Sequence, residues 1–395
     1  MNEPHSSDPR AEWGAVISMG LGVFGLVTSE FLPASLLTPM AADLGITEGM
    51  AGQAVTATAI FGLLTSLLLS TVIRNADRRN VLLVLSTFLI ASNLLVAFAP
   101  NLPLLLLGRV LLGIALGGFW TMSTALAMRL VPEKSVPRAL SIIFAGVSGA
   151  TVLAAPVGSF LGEVIGWRSV FLIAAALGLL ALIVQFATVP KLAATGRSSL
   201  KTIGDVLTRP SVGLGMIAVT FVFTGHFAFF TYIRPFLETV TQVDIGTVSI
   251  ILLGFGIANF AGTFLAGPLV ARSLRLTMIA SPLLMGLLGT GLVLSGTVTA
   301  PTAAMVAIWG FAFGIVPVAW STWLTRTTPD QAETAGGLLV AGINLAIATG
   351  AAAGGAIFDA AGATSVFMAS SITLLAATAL ILLAVRRPRR TMATA

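Results

Sequence analysis

The 395-residue chain contains no cysteine. A disulfide framework, a thiolate zinc site and a cysteine nucleophile are therefore excluded together. Two histidines are too few for a multi-histidine metal site, and no cofactor is expected. Charge is scarce as well: 9% of residues are charged against 56% hydrophobic, whereas a water-soluble domain carries about a quarter charged residues. No soluble core could hide so much apolar surface, so lipid is the solvent for most of the chain. Glycine, by contrast, is abundant, with 41 residues spread through the apolar runs. That suits helices whose backbones approach closely in a bilayer.

The net charge is +6, yet the basic residues sit in short gaps between apolar runs. They are topology signals and do not mark a nucleic-acid surface. Residues 1–12 are polar and form a tail. The apolar run from Trp13 has no basic lead-in and no small-residue cleavage site, and it carries Glu30. It is expected to be a retained helix and not a signal peptide. A spanning helix needs about 20 mostly apolar residues. Twelve segments qualify, at 13–37, 50–73, 80–99, 102–128, 139–161, 168–189, 211–236, 247–270, 277–298, 302–324, 333–357 and 364–385. The runs are continuous and do not alternate, which excludes a β-barrel.

Alternate gaps collect the basic residues: Arg74, Arg78 and Arg79; Arg129, Lys134 and Arg138; Lys191, Arg197, Lys201 and Arg209; Arg272 and Arg275; Arg326; and the tail from Arg386 to Arg390. The gaps between them hold Asp43, Glu48, Glu238, Asp244 and Asp359. The positive-inside rule places the basic gaps and both termini in the cytoplasm. Arg168 and Arg234, near outer helix ends, run against the trend.

The longest internal gap, 190–210, separates a six-helix half at 13–189 from another at 211–385, with a second tail at 386–395. The halves carry a repeat. Gly158-Ser-Phe-Leu-Gly-Glu163-Val-Ile-Gly166-Trp-Arg-Ser169-Val-Phe171 recurs as Gly354-Gly-Ala-Ile-Phe-Asp359-Ala-Ala-Gly362-Ala-Thr-Ser365-Val-Phe367, offset by about 196 residues. The same offset maps Thr28, Phe31 and Pro39 onto Thr224, Phe227 and Pro235. Two parallel six-helix halves about an axis along the membrane normal form the all-α architecture of the major facilitator fold, which the chain resembles.

Mechanism should lie in charges that lipid does not tolerate. A charge at the bilayer centre costs roughly 2.5–3.5 kcal/mol on insertion scales unless it faces a cavity or a partner. Glu30 is the one carboxylate well inside a predicted span, and Arg109 the one guanidinium comparably deep. At 1.5 Å per residue both fall roughly 10 Å below the outer face, so both are expected to face a central cavity. A carboxyl holds its proton more tightly as it loses water and less tightly beside a cation. Glu30 is therefore either a proton carrier or half of a static ion pair, and intramembrane ionisable groups favour the first.

The repeat places His226 opposite Glu30, where it could bind substrate, relay protons, or simply tie two helices together. Asn344 and Asn259, with Asn93 and Gln185 in the first half, are mid-helix amides that either contact a ligand or bond helix to helix, Asn344 being the leading ligand candidate. Phe227, Phe229, Phe230, Trp120, Trp309 and Trp320 could stack on a flat substrate or pack the core. Trp13, Trp167 and Trp323 at helix ends are expected to be interfacial anchors.

Several local motifs resemble the drug:H⁺ antiporters of the major facilitator superfamily. Gly267-Pro-Leu-Val-Ala-Arg272-Ser-Leu-Arg275 is an imperfect copy of the family's loop pattern. The first-half copy, Ser70 to Arg79, has Arg74 where the family has Asp, with Asp77, Arg78 and Arg79 following. Gly108-Arg109-Val-Leu-Leu-Gly113-Ile-Ala-Leu-Gly117 is similar to the motif whose arginine the family links to proton transfer. Ala154-Ala-Pro156-Val-Gly158-Ser-Phe-Leu-Gly162 is similar to the antiporter motif, and the resemblance implies a tight contact between the halves there.

Ser29-Glu30-Phe-Leu-Pro-Ala-Ser-Leu-Leu-Thr-Pro39-Met, Gly117-Gly-Phe-Trp120, Ala228-Phe-Phe-Thr-Tyr232-Ile-Arg234-Pro235 and Val318-Ala-Trp320-Ser-Thr-Trp323 extend the likeness over nearly the whole chain. Together they resemble the purine ribonucleoside efflux pumps of that group, which are similar to its sugar efflux transporters. The resemblance implies proton-coupled export of inosine- or guanosine-like nucleosides across a bacterial cytoplasmic membrane. A broader drug or sugar exporter is the alternative. No Gly-x-x-x-x-Gly-Lys-Ser/Thr run supports an ATP-driven pump, no Asp or His cluster supports an enzyme, and no interface motif argues against a monomer.

Overall fold

The computed structural model describes residues 11–73, 76–132, 135–193, 208–328 and 332–384. Most of the two tails, the centre of the 190–210 gap, and Arg74, Lys134, Arg197, Lys201 and the basic C-terminal arginines lie outside the described residues.

The first six spans are α1 (Trp13–Leu44), α2 (Glu48–Val72), α3 (Arg78–Ala97), α4 (Leu102–Leu130), α5 (Val136–Val164) and α6 (Trp167–Thr188). Next come α7 (Pro210–Thr231) and a continuous helical stretch, Ile245–Ser295, that is non-helical at Ser273. We number its two arms α8 (245–272) and α9 (274–295). After α10 (Thr299–Thr327), a second long stretch, Ala332–Ala384, is broken at Gly362 into α11 (332–361) and α12 (363–384). Both breaks fall in gaps that hydropathy leaves between spans. The described helices are long and apolar enough to cross a membrane repeatedly, and the chain is a multi-pass membrane protein.

Short polar side chains start the helices where the chain leaves lipid. Thr47, Asp77, Asn101 and Asp244 each accept a backbone N–H of the first turn of α2, α3, α4 and α8, satisfying donors that a helix start leaves unpaired. The seventh span ends earlier than its hydropathy. Pro235 has no N–H and crowds the carbonyl four residues back, so α7 stops at Thr231. A short helical turn, Ile233–Phe236, and a π-helical turn, Leu237–Thr241, carry the chain on.

The sequence repeat is also a structural one. Gly166 and Gly362, equivalent at the offset of about 196, both have positive φ, 81° and 77°, a conformation side chains resist. They open α6 and α12 in the same way. Close helix contacts repeat too. A Cβ on Gly113 or Gly117 of α4 would collide with the carbonyls of Thr58 and Gly62 of α2, and one on Gly310 or Gly314 of α10 with those of Phe255 and Asn259 of α8. Between the first six helices and the last six, α2 packs along α11 and α5 along α8.

Candidate functional site

Glycine brings Arg109 to its place. With α4 pressed on α2 at Gly113, Arg109 one turn earlier is fully buried against backbone. Its Nη1 donates to the Ser29 carbonyl at 2.8 Å and its Nε to the Ala54 carbonyl at 3.3 Å, while Nη2 has no partner. Asn93 donates to Ser29 Oγ at 2.9 Å, so α1, α2, α3 and α4 meet around Ser29. The equal depth expected of Glu30 and Arg109 is what these bonds require.

Glu30 and Arg109 do not form a direct ion pair. The described ion pairs are Arg168–Asp43 and Arg234–Glu238, and among the described residues the Glu30 carboxylate has no hydrogen-bond partner. Instead Glu30 lines a cavity of about 10 Å³ with Phe31, Ala34, Val55, Phe227 and Phe230, room for about one water. Arg109 is not among the lining side chains. It lies behind Glu30, gripping the carbonyl of the preceding residue, Ser29.

Phe227 and Phe230 bring α7 to the same cavity, and Phe31 meets Phe230 edge-on at 5.4 Å. His226 lies one layer further back. It stacks on Phe313, lies parallel to Phe230 at 5.7 Å, and accepts a hydrogen bond at Nδ1 from Trp309 Nε1 at 3.2 Å. Trp309 is fully buried and stacks on Phe229 at 3.9 Å. The structure thus gathers Glu30, Phe227 and Phe230 around one cavity, with Arg109, His226 and Trp309 behind its wall. The other ligand candidates lie elsewhere. Asn344 donates to its own helix at Val340 and faces Gly62 across the α2–α11 contact. Trp120 stacks on Phe144 of α5 at 5.9 Å. Asn93, Asn259 and Gln185 bond helix to helix.

The conformational candidates separate in the same way. Arg78 bonds the Ile73 carbonyl, and Arg79 bonds the Phe186 carbonyl at 2.7 Å while lying over the Phe186 ring. Asp77 accepts from the backbone of Arg79 and Leu192. The Leu192 bond, with smaller help from Arg79 and Lys191, holds its carboxyl below the usual range. Gly267 and Arg272 are exposed, and nothing crowds Gly267.

Gly158 and Gly162, two turns of α5 that include the helix-internal Pro156, need correction. They receive Leu32, Ser35 and Leu36 of α1, inside the first half. The tight contact between halves lies on another face of α5, where Gly256 of α8 meets Thr151 and Val152. Two of the expected interfacial tryptophans are also core residues: Trp167 is 5% and Trp323 7% exposed, the latter filling the space over Gly215.

Sequence reasoning missed one functional cluster. At the end where α1 stops and α2 starts, Arg234 is buried, pairs with Glu238 at 2.7 Å and donates to the Ser35 carbonyl of α1. Thr38 donates to the other Glu238 oxygen. On the opposite side Asp359 of α11 accepts from Thr47 Oγ1 at 2.8 Å and from the backbone of Gly49 at 3.1 Å. Tyr232 wedges between Gly52 of α2 and Gly354 and Gly355 of α11. These contacts join the two halves at this one end. Arg234, an arginine out of place by charge rule and four residues before a glutamate, was the available signal.

A multi-pass helical bundle with twofold internal repetition, a carboxylate lining a small internal cavity and a buried guanidinium behind it has the make-up of a membrane transporter. A family model described as Major Facilitator Superfamily matches residues 19–241 and 215–395, and the chain belongs to that superfamily. The purine ribonucleoside efflux pump NepI of Salmonella typhimurium (strain LT2) is 48% identical over 350 residues, 89% of this chain and 88% of that protein. The pump of the same name from Salmonella enteritidis PT4 is 47% identical over 366 residues, 93% of this chain and 92% of its own. Among solved structures, a D-xylose–proton symporter matches with a TM-score of 0.74 at 19% identity, over 93% of this chain and 96% of that one. A bacterial homologue of the human lysosomal transporter Spinster, inward-facing and unoccupied, matches with a TM-score of 0.75 at 16% identity, over 96% and 98%. At those identities the structural likeness concerns the fold.

Proposed function

We propose that this protein exports purine ribonucleosides, such as inosine and guanosine, from a bacterial cytoplasm in exchange for protons. The 48% identity to purine ribonucleoside efflux pumps over 89% of the chain supports the cargo. The observation that carries the coupling is Glu30: a carboxylate without a hydrogen-bond partner among the described residues, lining a cavity shared with Phe227 and Phe230, beside a buried guanidinium.

The mechanism is alternating access between the six-helix halves. With the basic gaps and both termini in the cytoplasm, the end sealed by Arg234, Glu238 and Asp359 is the outer one, and this conformation has its outer gate shut. Substrate enters from the cytoplasm while Glu30 is ionised. The halves rock, a proton arriving from outside neutralises Glu30 and displaces substrate, and the protonated form resets. Gly256 of α8, seated against Thr151 and Val152 of α5, keeps the rocking surfaces packed, while Gly158 and Gly162, and Arg78 and Arg79, brace the first half as a rigid unit. One charge crossing 100 mV is worth about 2.3 kcal/mol, so at about 150 mV one proton sustains a gradient of a few hundred-fold.

The test is uptake of radiolabelled inosine into everted membrane vesicles with an imposed pH gradient. Accumulation that collapses when the gradient is dissipated is the expected result. Inosine movement indifferent to both pH gradient and voltage would remove proton coupling. No inosine movement, with a proton-dependent response to drugs or sugars, would keep the antiporter and change its cargo.

A further inference from the structure

The two nitrogens of His226 are not equivalent. An indole N–H is a donor only, so the bond from Trp309 Nε1 to His226 Nδ1 requires Nδ1 to be the bare acceptor nitrogen. The hydrogen of the neutral ring then sits on Nε2. Nε2 has no partner among the described residues, and it is not among their sealed, unpartnered polar atoms. The rest of the ring is enclosed by aromatics: Phe313 on its face, Phe227 edge-on at 5.0 Å, and Phe230 and Phe255 roughly parallel. Trp309 is itself immobilised by stacking on Phe229 at 3.9 Å. The second half therefore holds an N–H donor of fixed tautomer one layer behind Phe227 and Phe230, two of the rings that line the cavity, so that movement of those rings as the halves rock brings it to a substrate.

We propose that Trp309 is a positioning residue that locks His226 as a hydrogen-bond donor, and that His226 Nε2–H selects substrates presenting an acceptor, which in a purine is the N7–O6 edge. This rests on the nucleoside assignment above. The donor is built into an apolar box, so a ligand without the matching acceptor leaves a desolvated N–H unpaired, and that asymmetry discriminates more strongly than the bond itself. Glu30 and His226, equivalent in the repeat, then divide the work: Glu30 takes the proton and His226 reads the base.

The chain has two histidines, and His5 lies in the N-terminal tail, so His5→Gln leaves a single imidazole. In that protein, labelled with ¹⁵N-histidine, the protonated nitrogen is expected to be Nε2, and Trp309→Phe should give a mixture of tautomers. A protonated Nδ1 in the parent would overturn the proposal. In vesicles, inosine is compared with 7-deazainosine, which lacks N7, and with purine riboside, which lacks O6. At least one analogue should have a KM about tenfold above that of inosine. The ratio should fall to near one in His226→Leu and narrow in Trp309→Phe, the change appearing in KM. Both analogues carried as well as inosine, or a ratio unchanged in both variants, would overturn the donor role while leaving nucleoside export standing. Failure of the parent to move inosine at all would remove the nucleoside assignment and this inference with it.

Discussion

Replacing Arg234 by methionine should open the sealed end. Arg234 is 3% exposed and its partner Glu238 18%. The guanidinium makes two bonds at this end: the pair to Glu238, which is in turn bonded by Thr38 of α1, and the direct bond to the Ser35 carbonyl. Methionine keeps most of the volume and removes both. Glu238 lies four residues on in the same half, so its pair with Arg234 is common to both conformations, and the guanidinium bond lost on opening is the one to Ser35, worth about 1.5–3 kcal/mol for a charged donor. Its removal is an increase of roughly ten- to a hundredfold in the population open at this end.

The absence of cysteine makes the assay clean. Ala34, 3% exposed and lining the cavity beside Glu30, is changed to cysteine and labelled with a membrane-impermeant maleimide in right-side-out vesicles. Labelling of Ala34→Cys should be slow in the Arg234 background and tens of times faster with Arg234→Met. Equal rates in a folded, membrane-inserted variant would show that Arg234 does not hold the gate.

Gly117→Val should be among the most damaging single substitutions. Its side chain would enter the backbone of Gly62, and overpacking at such a contact costs about 1–3 kcal/mol or more, read as a lower melting temperature in detergent. Gly362→Ala should cost about 1–3 kcal/mol, because Gly362 has φ 77° and ψ 175°, a region essentially reserved for glycine, again read by melting. Asp77 is held below its ordinary range by its backbone partners, chiefly Leu192, so its stabilising effect is complete above about pH 4 and fades as pH falls through the lowered folded value. The melting difference between the parent and Asp77→Ala should accordingly be full at pH 7 and shrink in acid; a difference that stays constant down to pH 2 would refute the assignment.

Much of the fold was legible because lipid imposes a long apolar run for every crossing. Hydropathy separated 247–270 from 277–298 and 333–357 from 364–385, where the backbone breaks at Ser273 and Gly362 within otherwise continuous helix. The repeat pairs Gly166 with Gly362, and their backbones share a positive φ. Rotation about each helix axis was not legible. Successive residues turn by about 100°, so a boundary shift of one or two positions changes the face a side chain presents. That is why Gly158 and Gly162 were assigned to the wrong neighbour, and why Arg109 was expected at the cavity when it bonds the carbonyls of Ser29 and Ala54 behind it. Arg234 illustrates a different limit. Its value lies in the Ser35 carbonyl, a backbone partner that no residue pattern announces.

The central claim is that the Glu30 carboxyl carries the exchanged proton. The direct measurement separates substrate exchange from proton-driven accumulation in Glu30→Gln, reconstituted in liposomes. An amide cannot load or release the proton, yet it preserves the size of the side chain at the cavity. Counterflow of labelled inosine against unlabelled inosine should persist within a few-fold of the parent, while accumulation driven by an imposed pH gradient disappears. Gradient-driven accumulation surviving in Glu30→Gln would contradict the account and move the proton elsewhere.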